Sequence, residues 1–264
     1  MAFGRFNQQL LHFQDENPAA RPAVVLVNAL GTDFRIWDSV AARLGRDLRL
    51  LRYDLRGHGL SDAPEGPYSI EDHVGDLAAL LDARGIRDAL IVGLSVGGLV
   101  AQALAARRPD LVRAQILSDT AHRIGTAELW SARIDASRRG GIASIADAIL
   151  ERWFPQAYRD RFPAEFAGYR NMLVRMPVEG YLGTCATLRD TDLTETTRRL
   201  RQPTLCLVGA EDGATPPALV KTMSDLIPGA SFEIVAGAGH LPCIEQPDLV
   251  AARIRTFAKE SISA

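Results

Sequence analysis

Cysteine is scarce: Cys185, Cys206 and Cys243 are the whole complement of 264 residues, an odd number with no C-x-x-C pair. That argues against a disulfide framework and a zinc ribbon, and fits a reducing compartment. Excess charge is missing too. Thirty basic and thirty-two acidic residues leave a net charge of −2 and a pI near 6.2, with no electrostatic footprint for nucleic acid and no polybasic membrane patch. The opening residues, MAFGRFNQQLLHFQDENP, hold no apolar stretch long enough for a secretory core. Residues 89–106 run uncharged for a membrane-span length, but Gly93, Ser95, Gly97, Gly98 and Gln102 inside the run read as a turn between a buried strand and a helix. No H-E-x-x-H, Walker loop or dinucleotide fingerprint occurs, so the sequence asks for no metal and no cofactor. The expectation is a cytoplasmic protein that binds neither nucleic acid nor membrane.

What is present is ordinary for a globular chain: 47% apolar and 23% charged residues. Surface scaling predicts roughly 11,000 Å² of folded surface and one large core. Short Val/Ile/Leu runs at 23–27, 48–53, 89–92, 114–117, 204–208 and 232–235 alternate with helical patterns at 70–81, 96–107 and from Pro247 onward. That alternation predicts an α/β fold, a mostly parallel sheet covered by helices. Ser69-Ile70-Glu71-Asp72 resembles a capping box, and the first twenty residues fit an antiparallel hairpin at the sheet edge. Residues 121–200 interrupt the alternation and concentrate the aromatics, with a helical pattern at Ile142-Ile145-Ile149. They are expected to form a helical cap inserted after the sixth strand, over the carboxyl edge of a core made of 1–120 and 201–264.

Gly93-Leu94-Ser95-Val96-Gly97 is a G-x-S-x-G motif that follows a strand and opens an apolar helix, the context of a nucleophile elbow. A serine hydroxyl is a weak nucleophile and needs a base. Of five histidines, His240 stands out, in the loop Gly237-Ala238-Gly239-His240 after the last strand. His73 falls on a helix and is expected to be solvated or half-buried; His12 lies in the hairpin. The imidazole needs a carboxylate to fix its tautomer. Asp212, just past the strand 204–208, completes the order Ser95, Asp212, His240, with Asp119 after the strand 114–117 as the competing acid. An oxyanion hole needs two backbone donors, for which the amides of Val96 and Leu30 are the candidates.

These features are similar to those of the α/β-hydrolase superfamily. Arg56-Gly57-His58-Gly59 with Ser61 matches the loop after its second parallel strand. Nearer still, the chain resembles the 3-oxoadipate enol-lactonases of the β-ketoadipate pathway. The residues that carry this are Asn28-Ala29-Leu30-Gly31-Thr32-Asp33, Glu179-Gly180-Tyr181-Leu182-Gly183-Thr184-Cys185, Leu188-Arg189-Asp190 with Asp192-Leu193, and Thr215-Pro216-Pro217. Asn28-Ala29 departs from the usual hydrolase His-Gly, and the lactonases lack that histidine as well.

The resemblance implies an enzyme that opens a small lactone carrying a carboxylate, through an acyl-enzyme on Ser95. Its alternatives are another reaction on the same three residues (C–C bond hydrolysis, a general carboxylesterase, a perhydrolase) or a non-catalytic ligand receptor. A substrate carboxylate implies a cation in the pocket. Residues 121–180 carry nine arginines, most of them read as a solvated helical face. Arg133, one helical turn after Trp130, is the candidate substrate contact together with Trp130 itself, and Trp153 is the candidate pocket wall.

Overall fold

Short β-branched runs with no polar alternation can be buried only between two layers of helix, and the chain builds that arrangement. The computed structural model describes residues 1–45 and 47–262, which expose 10631 Å². The first half is β1 (Ala2–Phe6), β2 (Gln9–Glu16), β3 (Ala23–Val27), α1 (Asp38–Leu44), β4 (Arg49–Tyr53), α2 (Ile70–Ala83), β5 (Ala89–Leu94), α3 (Val96–Arg107) and β6 (Val112–Ser118). Six helices follow: α4 (Ala127–Gly140), α5 (Ala146–Trp153), α6 (Gln156–Arg161), α7 (Pro163–Val174), α8 (Val178–Asp190) and α9 (Thr194–Arg198). The chain closes with β7 (Thr204–Gly209), α10 (Pro217–Leu226), β8 (Ser231–Val235), α11 (Pro242–Glu245) and α12 (Pro247–Ile262).

The strands form one sheet in the order β1-β2-β4-β3-β5-β6-β7-β8. The hairpin β1–β2 joins antiparallel beside β4, and every later pairing is parallel. Every residue of β3, β5 and β7 is buried, so their carboxyl ends open onto a face that only loops and added helices can cover. The apolar run at 89–106 is explained by position: β5 is central, and α3 is buried from Val96 to Ala105. A helix apolar all round belongs in the middle of a layered fold. Among the described residues, no helix is long and apolar enough to cross a membrane.

Local signals set the helix ends. Ser69 accepts from the Asp72 amide while the Asp72 carboxylate accepts from the Ser69 amide, the reciprocal cap that opens α2. Gly141, at φ +69°, ends α4 and splits the Ile142-Ile145-Ile149 pattern into a 3-10 turn and α5. Helix α8 lies close against the loop after β4. A Cβ at Gly180 would stand 2.2 Å from the Gly57 oxygen, and one at Gly183 would stand 2.6 Å from the Tyr68 ring. Two glycines therefore let this helix pack against backbone and ring.

One expectation fails here. His73 is fully buried, neither ring nitrogen has a partner among the described residues, and its ring meets Tyr68 edge-on at 6.0 Å. Burial pushes its pKa down to about 3, so it is a neutral core residue. Helical periodicity placed it correctly on α2 but gave no sign that the facing surface is the loop at 56–68.

The same face of α2 carries a buried ion pair. Arg56 donates from Nε and Nη2 to Asp76 at 2.7 Å each, and Asn7 of the hairpin adds a third donor at 3.0 Å. Removing one partner of a buried pair strands the other charge. Asp76→Ala is expected to destabilise the fold by about 3 kcal/mol, the low end of the range because Asp72 stays 3.0 Å from Arg56. Urea unfolding with an unchanged m-value checks this; a loss under about 1 kcal/mol contradicts it.

Candidate active site

The turn between β5 and α3 holds Ser95 at φ +57°, ψ −118°, a left-handed conformation unusual for a residue with a side chain. Bonds on three sides fix it: Ser95 N–H donates to Ser118 O at 3.0 Å, and Ser95 O accepts from Thr120 Oγ1 at 2.6 Å and Gly98 N–H at 2.9 Å. Close approach explains the flanking glycines. A Cβ at Gly93 would stand 2.3 Å from the Gly97 oxygen, and one at Gly97 would stand 2.5 Å from the Val27 oxygen. The Ser95 hydroxyl has no hydrogen-bond partner among the described residues and borders an open cleft.

His240 follows β8 and borders the same cleft. Its Nδ1 lies 2.9 Å from Asp212 Oδ2, so an Nδ1–H donates to the carboxylate and Nε2 is left as an acceptor. Asp212 also accepts from Thr215 Oγ1 at 2.6 Å, the Ala214 amide at 2.7 Å and the Thr215 amide at 3.0 Å. Burial alone would raise its pKa. His240 and the Thr215 donors outweigh that and hold the carboxyl well below the usual carboxylate range.

Asp119 takes a different part. It is fully buried at φ +48°, its Oδ1 accepts the Gly209 amide at 2.8 Å, and its Oδ2 lies 2.6 Å from Ser118 Oγ. Burial first, then the charge of Asp212, pushes its pKa well above the ordinary value. Ligand atoms of Asp119, Asp212 and His240 lie within 4.8 Å of one another, a spacing that could hold a metal. However, the Asp212 oxygens are already filled by donors, so we read the group as a hydrogen-bonded network.

The loop after β3 supplies the opposite wall. Gly31 N–H donates to His58 Nε2 at 3.3 Å, and His58 Nδ1–H donates to Arg56 O at 2.9 Å. Burial lowers the His58 pKa to about 4, so the ring stays neutral and bridges the two loops. Leu30 borders the cleft, and the amides of Leu30 and Val96 meet no acceptor among the described residues. The cleft and its mouth, open solvent included, span about 590 Å³. Trp130, Arg133 and Trp153 all line it. The Arg133 guanidinium stands 4.9 Å over the Trp130 ring, and Trp153 lies near parallel to His240 at 6.4 Å.

Three contributors had little or no signal in the sequence. Glu245 accepts from the Gly239 amide at 2.8 Å and the Leu241 amide at 3.3 Å, bracketing His240, and burial pushes its carboxyl up to about 7. A lone acid in the apolar stretch after His240 was the only hint. Thr215 stood out only as part of a motif, and its hydroxyl binds Asp212. Arg152, grouped with the solvated arginines, is exposed and also borders the cleft. An open serine hydroxyl, an imidazole tied to a carboxylate and two free amides form a donor set suited to acyl transfer.

Comparison with known proteins agrees with this geometry. The profile described as "Alpha/beta hydrolase family" matches residues 24–253. The chain is 33% identical over 237 residues to 3-oxoadipate enol-lactonase 2 of Acinetobacter baylyi, covering 90% of this chain and 88% of that one. Among solved structures, the enol-lactonase from Burkholderia xenovorans LB400 matches at 36% identity with a TM-score of 0.92, covering 97% of this chain and 99% of that one. A thermophilic esterase from Thermogutta terrifontis, solved with malate bound, matches at 29% identity and TM-score 0.92, covering 98% of each chain. Matched in sequence and backbone over nearly its whole length, the chain belongs to the alpha/beta hydrolase family.

Proposed function

We propose that this hydrolase opens 3-oxoadipate enol-lactone to 3-oxoadipate, acting in the cytoplasm within the β-ketoadipate branch of aromatic catabolism. The observation that carries the reading is the company Ser95 keeps: one cleft joins it to His240, to an indole and to the Arg133 cation. The similarity to two enol-lactonases supports the substrate.

In this reading Ser95 Oγ attacks the lactone carbonyl while His240 Nε2 takes its proton. Asp212 stabilises the imidazolium that forms. The Leu30 and Val96 amides donate to the oxyanion, helped by the positive end of α3. The ring C–O bond then breaks, the departing enol oxygen takes the proton from His240, and the enol becomes a ketone. Water, deprotonated by His240, attacks the acyl-enzyme; the C–Oγ bond breaks and Ser95 recovers its proton. Trp130 and Trp153 wall the ring, and Arg133 pairs with the substrate carboxylate. The residues at 121–200 act as a cap over a core of 1–120 and 201–264. A second reading, a carboxylesterase on the same residues, draws on the equally close backbone match to the Thermogutta esterase.

The rate of enol-lactone loss tests the proposal. Wild-type protein should consume it quickly, and Ser95→Ala should lower kcat by at least about 10³-fold without loss of fold. Cleavage of aryl esters with no lactone turnover would select the second reading, and a Ser95→Ala variant with wild-type rates would remove the mechanism. Asp212→Asn is expected to cost about 10⁴-fold in kcat, at least a hundredfold more than Asp119→Asn. The reverse ranking would move the acid to Asp119.

A further inference from the structure

Six arginines of the segment between β6 and β7 have acidic partners: Arg123 with Asp192, Arg159 with Glu151, Arg170 with Asp147, Arg189 with Asp190, and Arg198 and Arg199 with Glu195. The two that border the cleft do not. Among the described residues, no carboxylate oxygen lies within 4.0 Å of Arg133 or Arg152. Two unpaired cations beside a reactive serine are an electrostatic demand that a ligand can meet.

Arg152 is also tied to the site itself. Its Nε donates to Gly213 O at 2.8 Å and its Nη2 to Ala214 O at 3.4 Å, two carbonyls of the loop that carries Asp212. The backbone at the end of α5 repeats the link: Gly213 N–H donates to Arg152 O at 3.1 Å, and His240 N–H to Trp153 O at 2.8 Å. Thus one helix end is bonded to the loops of both Asp212 and His240, and Nη1 has no partner among the described residues. Partial burial, then the nearby charge of Arg133, lowers the Arg152 pKa, although the residue as a whole stays exposed.

We propose that Arg152 is a second substrate-binding cation, which with Arg133 takes a carboxylate of the ligand and, through its grip on residues 213 and 214, sets that carboxylate in register with the Asp212 loop. The inference rests on the carboxylate-bearing substrate proposed above. Its chemical content is a preference for short acyl substrates carrying a carboxylate, and an affinity of the resting cleft for dicarboxylates, the class to which the hydrolysis product belongs.

Two measurements test it. In the first, kcat/KM is compared for 4-nitrophenyl hydrogen glutarate and neutral 4-nitrophenyl butyrate in the wild type, Arg133→Met, Arg152→Gln and Arg152→Lys. Arg152→Gln is expected to lose about tenfold more on the anionic ester than on the neutral one, chiefly through KM, and Arg152→Lys to regain part of the difference. In the second, calorimetry at low salt reads binding of adipate, with adipamide as the neutral control, and needs no turnover. Arg152→Gln should weaken adipate about tenfold. Equal losses on both esters with unchanged adipate affinity would overturn the proposal and leave Arg152 as a structural tie. A wild type that neither prefers the anionic ester nor binds adipate would overturn the carboxylate-bearing substrate itself. A wild type that does both and loses them only in Arg133→Met would leave that substrate standing and remove Arg152 alone.

Discussion

One buried negative charge organises the carboxyl edge of this sheet. Asp212 is ionised in the interior because four donors converge on it: the His240 ring, the Thr215 hydroxyl and the amides of residues 214 and 215. A second charge beside it would add repulsion in a medium that screens poorly. The neighbouring acids therefore keep their protons more readily. Asp119 is pushed well up by burial and by Asp212, and Glu245 is pushed up to about 7 by burial. Three carboxyl groups at one sheet edge thus divide their work. Asp212 holds its charge most firmly, Asp119 anchors the end of β7 through Gly209, and Glu245 brackets the histidine through the amides of Gly239 and Leu241.

The helices between β6 and β7 are bonded into this network. The carbonyls of Arg152 and Trp153 accept the amides of Gly213 and His240, and α8 is pressed against the loop at 57–68 through glycines. That loop in turn holds Gly31 through neutral His58. The geometry around the Ser95 hydroxyl consequently depends on segments far apart in sequence. Residues chosen by the proposed lactonase reading, Trp130 and Arg133, come from the added helices, whereas Ser95 and His240 come from loops of the sheet. A substrate group held by one layer is therefore presented to the other.

The parallel strands were legible because a strand buried on both faces must be a continuous apolar run, and each run from 23–27 to 232–235 lies within two residues of its strand. The serine turn was legible because only a small-x-Ser-x-small pattern fits so close to β3, and Asp212 and His240 because loops after β7 and β8 open onto the same edge. Polar relations between distant segments were not. His73 looked like a surface residue because helical periodicity says which residues share a face but not what covers it. Glu245 and His58 bind backbone amides, and such bonds leave no pattern in side-chain spacing. Arg152 sat among eight other arginines of similar context, and only the carbonyls of Gly213 and Ala214 distinguish it.

Direct observation of the aspartate protonation states tests the central claim, that Asp212 rather than Asp119 carries the charge. In protein labelled with carbon-13 at the aspartate carboxyl, Asp119→Asn and Asp212→Asn would assign the two signals. Near neutral pH the Asp119 carboxyl should hold its proton, and Asp212 should remain ionised to lower pH than the other aspartates. An ionised Asp119 beside a protonated Asp212 would contradict the account and transfer the charge to the end of β6.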